Sequence, residues 1–530
     1  MFPTHGKFRH SPPPPPTTLY PTYRPRSRRQ LLQYRRIRAL LALLLISLFY
    51  YLYTHRTTTP LPQPHNPLNP LETPQIPSHH NHIVLVIKSG SAVLHNRLPI
   101  HLLTTLTVVP HYLLFSDIPT TLGTVPVHDA LAPIPRTIKD NHPDFSFWRG
   151  LQALYKPIYG NLEVSEVGWE DDQGWKLDKY KNIPILQQAI KYQTPNDHKH
   201  ANDRVGKDGQ WKWAAGDIRW FVFIDDDTHI FFPGLARYLN VLDHTQPLYL
   251  GNEAFINSDA FGHGGSGYVL SAGAITQLFE RVKNPFDASS WEENLAEASC
   301  CGDHVLSQFL FQQGNITLLP QQPKFQKDRW WEIGLNRDNW CEEVFTLHHS
   351  SPAEIQRLWE FQDKMETRFG SEYYDFKQAS RRRQHMGNQD YILFCDLYEE
   401  IIEDALADLP RPAFHWDNLS NDGCVASSDF RVPDGISDKE FYPPCKEKYA
   451  QLTSTEKLAT RSADGCKDLC AKDKECLQWR YLPGRCDWSR SIKVGRKITL
   501  KETKGWKKDI VSSWNTDRVQ EMRLTMQCET

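Results

Sequence analysis

The chain has 530 residues, which is enough for two or three domains. Its 61 lysine and arginine residues nearly balance its 63 aspartate and glutamate residues, so no overall field favours a nucleic-acid partner. The basic residues are concentrated near the N-terminus, where no acidic residue occurs between Lys7 and Arg38. A basic segment of this kind is typical of the region that precedes a membrane anchor.

An apolar run, residues 39–53, follows the basic segment. It is shorter than the roughly 20 residues of a typical spanning helix, so its length alone also fits the core of a signal peptide. No small-x-small cleavage site follows it, and Tyr50, Tyr51 and Tyr53 suit a membrane interface. We therefore expect an uncleaved single-pass type II anchor, with residues 1–38 as a disordered cytosolic tail. The short span favours Golgi or endoplasmic reticulum membranes, with the rest of the chain luminal.

The next segment, residues 54–81, is rich in proline, which predicts an extended stem. The chain contains 11 cysteines, which fit an oxidising lumen, and sequons at Asn315 and Asn418 predict glycosylation there. Because the cysteine count is odd, at least one cysteine has no disulfide partner within the chain.

Three short apolar runs in the globular part each end in polar residues. "HIVLVIKSG" ends at Ser89 and Gly90, "HYLLFSD" ends at Asp117, and "WFVFIDDD" ends in three aspartates. Their alternation with helical segments predicts an α/β domain with a parallel sheet, whose ligands lie at the carboxyl ends of the strands. The predicted boundaries are 82–394 for this domain, 395–440 for a helical connector and 441–530 for a small disulfide-rich α+β domain.

The three aspartates, Asp225 to Asp227, follow a strand that reads as buried. Acidic residues are ordinary turn formers, but like charges at the edge of a buried sheet resist joint ionisation unless a cation is present. Alternation along an extended chain places Asp225 and Asp227 on one face and Asp226 on the other. The pair is spaced to approach Mn²⁺ or Mg²⁺ and a diphosphate that the ion carries.

Further motifs admit both a structural and a functional interpretation. The glycine-rich stretch "FGHGGSGYVLS" is either a flexible turn or a loop lining a cleft, with the cleft residues Gly264, Gly265, Ser266 and Gly267. Asp303 in "CCGDHVLSQFL" can cap the helix that follows it or act as a base. In "FTLHH", strand alternation sends His348 and His349 to opposite sides, so only one can join a metal site.

Taken in order, these motifs resemble those of glycosyltransferase family 31, the Fringe and core 1 β1,3-galactosyltransferase group. The resemblance covers roughly residues 82–350, is closest to the fungal Fringe-like branch, and includes "WKLDKYK" at Trp175 to Lys181. It implies a GT-A fold and inverting transfer from a UDP-sugar to a hydroxyl group. It assigns Asp303 as the general base and His348 as a metal ligand beside Asp225 and Asp227, with His349 as the alternative.

The same resemblance implies a nucleotide pocket. Its predicted residues are Lys88, Ser89, Gly90, Asp117, Asp178, Lys181 and Asp226. Asp178 and Lys181 are also spaced as a surface ion pair on a helix.

The six cysteines of the tail resemble those of a PAN or apple module. This resemblance implies the nested pairs Cys445–Cys528, Cys466–Cys486 and Cys470–Cys476, although six cysteines allow fifteen connectivities. A zinc site fits the spacing less well. Such a module can hold a polymeric acceptor near the cleft.

The sequence therefore predicts a membrane-anchored, Mn²⁺-dependent glycosyltransferase. It would transfer a galactose- or N-acetylglucosamine-type sugar from a UDP-sugar to a glycan or glycoprotein, most consistently in β-1,3 linkage. The alternative is an inactive lectin-like scaffold of the secretory pathway that only binds carbohydrate or protein. The sequence leaves the donor sugar, the acceptor and the oligomeric state open.

Overall fold

The computed structural model describes residues 77–155, 172–192, 213, 216–287, 295, 300–370, 391–432, 442–445, 448–499, 502, 505, 507–526 and 528. By its internal contacts, Ile76–Thr530 forms one compact unit. The predicted tail, anchor and all but the end of the stem lie outside the described residues. Within the described ranges, no helix is both long enough and apolar enough to span a bilayer.

The N-terminal part of this unit combines strands and helices in alternation. Its strands are β1 Ile83–Lys88, β2 Tyr112–Ser116, β3 Thr120–Leu122, β4 Val125–Asp129, β5 Trp220–Asp225, β6 His229–Ile230, β7 Tyr249–Gly251, β8 Glu253–Ile256, β9 Asp259–Gly262, β10 Tyr268–Ser271, β11 Leu319–Pro320, β12 Phe325–Gln326 and β13 Thr346–Leu347. Its helices are α1 Leu94–Leu103, α2 Arg136–Asn141, α3 Ser146–Tyr155, α4 Asp172–Trp175, α5 Asn182–Ala189, α6 Phe232–Asn240, α7 Ala272–Arg281, α8 Gly302–Gly314 and α9 Pro352–Gly370. Short 3₁₀ turns span Ser78–His82, Thr105–Thr107, Pro143–Phe145 and Asp178–Tyr180.

The central sheet has eight strands among the described residues, in the order β11-β7-β10-β5-β1-β2-β4-β3. Strands β1, β2, β4 and β5 are mutually parallel, as the apolar runs predict. However, β10 is antiparallel to both β5 and β7, so the sheet is mixed rather than parallel throughout. This mixed α/β architecture fits a GT-A-like fold.

The uninterrupted apolar sequence of β1 follows from its place in the middle of the sheet. Val84 and Val86 contribute to the hydrophobic core on one face, and Leu85 and Ile87 contribute to the core on the other. Strands covered on both faces read as continuous apolar runs rather than alternating ones. The same burial applies to β5, which therefore carries its aspartates to the carboxyl edge of the sheet beside the end of β1.

The C-terminal part is built on a second, antiparallel sheet in the order β14-β20-β17-β18-β16. The strands of the C-terminal part are β14 Ala413–Phe414, β15 Trp416–Asp417, β16 Gly423–Ala426, β17 Gln478–Leu482, β18 Arg485–Ser489, β19 Arg496–Lys497 and β20 Val511–Trp514. Strands β15 and β19 pair with each other in a separate two-stranded sheet. The helices of this half are α10 Phe394–Leu397, a π-helical turn Tyr398–Ile402, α11 Glu403–Ala407, α12 Ser454–Ala459, α13 Ala463–Lys472 and α14 Thr516–Thr525, with a 3₁₀ turn Tyr449–Gln451.

The predicted boundary at residue 441 is wrong, because β14 and β16 already belong to this sheet. The predicted connector is helical only at its start, and its strands from Ala413 onward complete the C-terminal sheet. The short strands lie before the cysteine-dense region, which is why cysteine spacing alone placed the boundary too late.

Two of the disulfides that the resemblance implies are present, Cys466–Cys486 and Cys470–Cys476. The pairing of Cys445 with Cys528 is wrong. Cys445 bonds Cys424 on β16, whereas Cys528 bonds Cys341 of the N-terminal part. The physical reason is that β16 brings Cys424 within a Cα distance of 5.3 Å of Cys445, while the C-terminus packs elsewhere.

The neighbours Cys300 and Cys301 form a disulfide with each other. Buried Cys395 is not part of a disulfide, and its sulfur lies 3.9 Å from that of Cys528. The sequons also differ from each other. Asn315 ends α8 in an exposed left-handed conformation, which suits glycosylation. Asn418 is fully buried and its amide donates to the backbone carbonyl oxygens of Trp479 and Ser513, so glycosylation there is contradicted by the fold.

Candidate active site

The carboxyl ends of β1, β2 and β5 open into a cavity of about 530 Å³. This is the edge of the sheet at which the sequence predicts a ligand. The predicted site residues that line the cavity are Lys88, Ser89, Gly90, Asp117, Asp178, Lys181, Asp225, Asp226, Asp227, Gly264, Gly265, Asp303 and His348. The predicted cleft residues Ser266 and Gly267 are not among the residues that line it.

At the end of β1, Lys88 joins two carboxylates. Its Nζ lies 2.6 Å from Asp178 Oδ1 and 3.2 Å from Asp225 Oδ1. Burial would lower the pKa of Lys88, but the two carboxylates outweigh burial and hold the pKa well above its usual value. Burial likewise would raise the pKa of Asp178, which the Lys88 charge instead lowers. Lys88 thus links Asp225, at the end of β5, to Asp178 in the 3₁₀ turn before α5.

Asp226 points to the opposite side, towards α1. Its carboxylate accepts hydrogen bonds from Ser89 Oγ at 2.5 Å and from Arg97 Nη1 at 3.0 Å, and it is almost fully buried. Burial raises the pKa of Asp226 to about 6 despite the Arg97 charge. The hydrogen bond between Ser89 and Asp226 therefore links the ends of the parallel strands β1 and β5.

Asp227 faces two histidines that follow β13. His348 Nε2 lies 3.3 Å from Asp227 Oδ1, and His349 Nδ1 lies 3.9 Å from Asp227 Oδ2. Burial would raise the pKa of Asp227, but the two neighbouring histidines and the Arg97 charge hold it well below its usual range. The backbone also fixes this turn, since Ser350 N donates to Asp227 O at 2.7 Å.

Both histidines reach the same carboxylate, contrary to the prediction from strand alternation. His349 has φ 54°, in the left-handed region, so the extended chain ends at His348. The two rings consequently stack on one side with their centroids 3.7 Å apart. Alternation fails here because β13 ends at Leu347, before either histidine.

The side chains of Asp227, His348 and His349 form the one group of potential metal ligands found in the described part of the chain, with donor atoms within 4.8 Å of one another. Asp225 lies outside this group, because β5 ends at Asp225 and the following turn redirects Asp227 away from it. His348 Nδ1 is buried without a hydrogen-bond partner, and Gly265 leaves room for the ring. These carboxylate and imidazole donors suit a divalent ion.

Asp303 lies at the start of α8 on the other side of the cavity. Its Oδ2 accepts from Gly264 N at 2.6 Å and its Oδ1 accepts from His304 N at 2.8 Å. Asp303 lies within the first turn of α8, whose N-cap is Cys301, so it is not the capping residue of this helix. Burial raises the pKa of Asp303 to about 6, and the neighbouring Asp178 charge adds to this rise. The group is therefore mostly ionised at neutral pH yet basic enough to accept a proton.

The glycine-rich loop between β9 and β10 connects the two ends of the cavity. A Cβ on Gly265 would lie 2.2 Å from His348 Cε1, so only glycine allows the histidine to approach. Gly264 donates its N–H to Asp303, and Gly267 has φ 84°. The carbonyl oxygen of Ser266 accepts from Thr346 Oγ1, which anchors the loop to β13.

The carboxylate of Asp117 holds a neighbouring loop in place and is not exposed to solvent. It is buried, and it accepts from Ser91 N at 2.7 Å and Ser91 Oγ at 2.9 Å, while Lys181 Nζ lies 3.5 Å away. Lys181 also donates to the carbonyl oxygen of Ser89. Together they fix the loop that carries Gly90.

Arg97 and Trp175 are among the cavity residues that the sequence interpretation did not assign to the site. Arg97 on α1 donates to both Asp226 and Asp227, and Trp175 at the end of α4 exposes 58% of its surface at the cavity. The sequence did contain a signal for Arg97. Helix α1 follows β1 after a short loop, so the first turn of α1 must begin at the carboxyl edge of the sheet. No comparable pattern marked Trp175.

A family model described as Fringe-like matches residues 182–317. The matched segment includes the three aspartates, the glycine-rich loop and Asp303, but neither Lys88 nor His348. No curated protein matches the chain. The match supports a Fringe-like glycosyltransferase family, and together with the mixed α/β fold it supports a general glycosyltransferase activity for this part of the chain.

Proposed function

We propose that the protein is a metal-dependent inverting glycosyltransferase that uses a UDP-sugar and forms a β-1,3 linkage to a glycan or glycoprotein. The observation that supports this most is the cavity of about 530 Å³ that the Asp227–histidine group and buried Asp303 line together. A binding scaffold has no need of both. The proposal includes a type II anchor at residues 39–53 and a luminal Golgi or endoplasmic reticulum location.

At the donor end, Asp227, His348 and His349 would hold the ion. Two imidazole nitrogens beside one carboxylate favour Mn²⁺ over Mg²⁺, which prefers oxygen ligands. Such an ion would offset the negative charge that develops on the UDP leaving group. Arg97 Nη1, 3.0 Å from Asp226 Oδ1 and 3.2 Å from Asp227 Oδ2, would hold these two carboxylates in place beside the ion.

The nucleotide would extend along the end of β1. Ser89 and Gly90 line the cavity there, held by Asp117 and Lys181. Lys88 has its charge engaged by two carboxylates, so its role is to fix Asp225 and Asp178 rather than to bind phosphate directly.

At the acceptor end, Asp303 takes the proton from the attacking hydroxyl group. The new bond joins the acceptor oxygen to the anomeric carbon, and the bond from that carbon to the UDP oxygen breaks with its electron pair leaving on UDP. Attack from the face opposite UDP inverts the configuration. One carboxylate base and a stabilised leaving group are sufficient for this step, and Asp303 remains the only residue that changes protonation.

The C-terminal part, which we interpret as a PAN/apple-like unit, would hold a polymeric acceptor. This role is supported by the way the C-terminal part is attached to the catalytic part, through the Cys341–Cys528 disulfide and a β-bridge between Leu335 and Ile492. A fixed unit can present an acceptor at a constant distance from the cleft.

A panel of UDP-sugars with Mn²⁺, with and without glycan acceptors, tests the function. We expect UDP release with one donor, stimulated by acceptor and abolished by a chelator. No UDP release with any donor, combined with retained binding to glycans, would instead support the lectin-like scaffold.

A further inference from the structure

The disulfide between Cys300 and Cys301 lies directly before the proposed base and has no role in the mechanism above. The two residues are neighbours in the sequence, and their sulfurs are bonded to each other. Cys301 lines the same cavity as Asp303, and both cysteines are only partly buried. The bond is thus accessible from the cleft in which the reaction takes place.

The backbone at Cys301 has an unusual conformation for a residue with a side chain. Its φ is 64° and its ψ is 98°, outside the regions that L-residues ordinarily occupy. Residues held in such regions are strained and persist only where their surroundings enforce the conformation. Here the bond to Cys300 closes a small covalent ring through the connecting peptide, which restricts the rotation of Cys301.

The conformation of Cys301 determines the direction in which α8 begins. Gly302 N donates to Asp178 Oδ2 at 2.8 Å, and a Cβ on Gly302 would lie 2.3 Å from the carbonyl oxygen of Asp178. The turn therefore fits tightly against the segment that holds Lys88. Asp303 is the next residue, and its position against Gly264 depends on this turn.

On the basis of the proposed function, we propose that the Cys300–Cys301 disulfide positions Asp303 for proton abstraction and that a dithiol reductant releases it. One thiolate of the dithiol attacks a cysteine sulfur, the S–S bond breaks and the other cysteine leaves as a thiolate. The second thiol of the reagent then displaces the first cysteine. The dithiol ends as a disulfide and the two cysteines end as thiols, so two electrons have been transferred.

The proposed metal ligands do not touch this turn directly, and the turn is linked to Lys88 through Asp178. The contacts of Asp226 with Ser89 and of Asp227 with His348 include no residue between 300 and 303. Opening the disulfide should therefore lower turnover and leave the binding of UDP intact. If the disulfide only stabilised the fold, its loss would reduce both turnover and the binding of UDP.

The test uses the full chain in detergent with Cys300→Ser/Cys301→Ser, which removes the bond without any reductant. We expect kcat to fall at least tenfold, while the Kd for UDP in the presence of Mn²⁺ changes less than twofold. The control is Cys470→Ser/Cys476→Ser, which removes another disulfide with a short sequence separation, in the C-terminal part, and should leave kcat on a small acceptor unchanged.

Wild-type protein treated with dithiothreitol and then desalted provides the second measurement. Its activity should fall in step with alkylation of Cys300 and Cys301, followed by mass spectrometry, and this test does not depend on the folding of the variant. An unchanged kcat in the serine variant, or alkylation of this pair without loss of activity, overturns the inference. Absence of transfer by untreated wild-type protein with any donor contradicts the proposed function itself.

Discussion

At the scale of single residues, the cavity separates two carboxylates with opposite electrostatic environments. Asp227 is held ionised by the histidines and Arg97, whereas the pKa of Asp303 is raised to about 6 by burial and by Asp178. Carboxylates whose pKa values are pushed apart commonly have different chemical roles. The proposed function assigns leaving-group stabilisation to the first and proton abstraction to the second.

Substituting the two carboxylates separately should distinguish these roles. Asp227→Asn should lower kcat at least 100-fold and weaken the binding of Mn²⁺ and UDP, because it removes the charged ligand. Asp303→Asn should lower kcat by a factor on the order of 10²–10⁴, the usual contribution of a general base, with UDP affinity retained. Calorimetric titration with UDP and Mn²⁺, beside steady-state rates, provides the measurement. Equal loss of UDP affinity in both variants would contradict the assignment.

The raised pKa of Asp303 also predicts a pH dependence. Below a pH of about 6 the carboxyl group is protonated and unable to accept the acceptor proton, so kcat/KM should fall about tenfold for each unit of pH. Asp226 also has a pKa of about 6 and must be distinguished from Asp303. The acid limb of the profile should persist in Asp226→Asn if Asp303 causes it, and its disappearance in that variant would refute the assignment.

At the scale of elements, the glycine-rich loop between β9 and β10 sets the distance between the donor and acceptor ends. Gly265→Ala would place a methyl group 2.2 Å from the His348 ring and force the ring away from Asp227. We expect at least a tenfold loss of Mn²⁺ affinity and of activity. Gly234→Ala on α6 is the control, since its Cβ would meet other atoms no closer than 3.9 Å. Normal Mn²⁺ affinity in Gly265→Ala would exclude His348 as a ligand.

A second element-scale feature is the buried charge network of the C-terminal sheet. Asp417 on β15 accepts from Arg480 Nη1 at 2.6 Å and from Lys507 Nζ at 2.9 Å, and all three side chains are fully buried. Tyr442 donates its hydroxyl hydrogen to the same carboxylate. Burial would raise the pKa of Asp417, but the two cations lower it well below its usual value.

Removing that charge should destabilise the protein. Asp417→Asn leaves Arg480 and Lys507 under-compensated, which costs about 3–5 kcal/mol for a buried pair. Because the folded pKa of Asp417 is lowered, its stabilisation is present above the unfolded value of about 3.9 and is lost as the pH falls through the folded pKa. Thermal unfolding measures both effects. The control Asp473→Asn disrupts a pair with Arg490, which is largely exposed, and should change stability by about 1 kcal/mol or less.

At the scale of the whole molecule, the C-terminal part shares a hydrophobic core with the catalytic part. Ile492, Val494 and Trp514 belong to the same buried cluster as Leu335 and Trp340. Arg523 on α14 pairs with Glu399 and Glu403 of the helical segment at the start of the C-terminal part, and Tyr398, Ile401 and Ile402 of that segment belong to the same cluster. The two parts therefore stabilise each other, in contrast to a catalytic domain with a freely tethered module.

Deleting residues 413–530 should consequently yield an unstable or aggregated catalytic part rather than an enzyme active on small acceptors. The milder variant Cys341→Ser/Cys528→Ser removes only the covalent link. It should lower stability by about 2–4 kcal/mol, a typical disulfide contribution, with kcat unchanged. Thermal unfolding and activity on a small acceptor are the measurements. A stable, fully active truncation would show that the shared core is dispensable.

The sequence by itself determined the features that depend on local pattern. Apolar runs ending in polar residues indicated β1, β2 and β5 and the edge at which Lys88, Asp117 and the aspartates meet, because parallel strands buried on both faces must read this way. The tertiary structure alone decided which side chains meet within that edge. His349 joins His348 because its left-handed backbone breaks the alternation, Asp225 turns to Lys88 because β5 ends there, and Cys528 bonds Cys341 because the C-terminal sheet packs on the catalytic core. Contacts between residues distant in sequence depend on how whole elements pack, and no local periodicity records that packing.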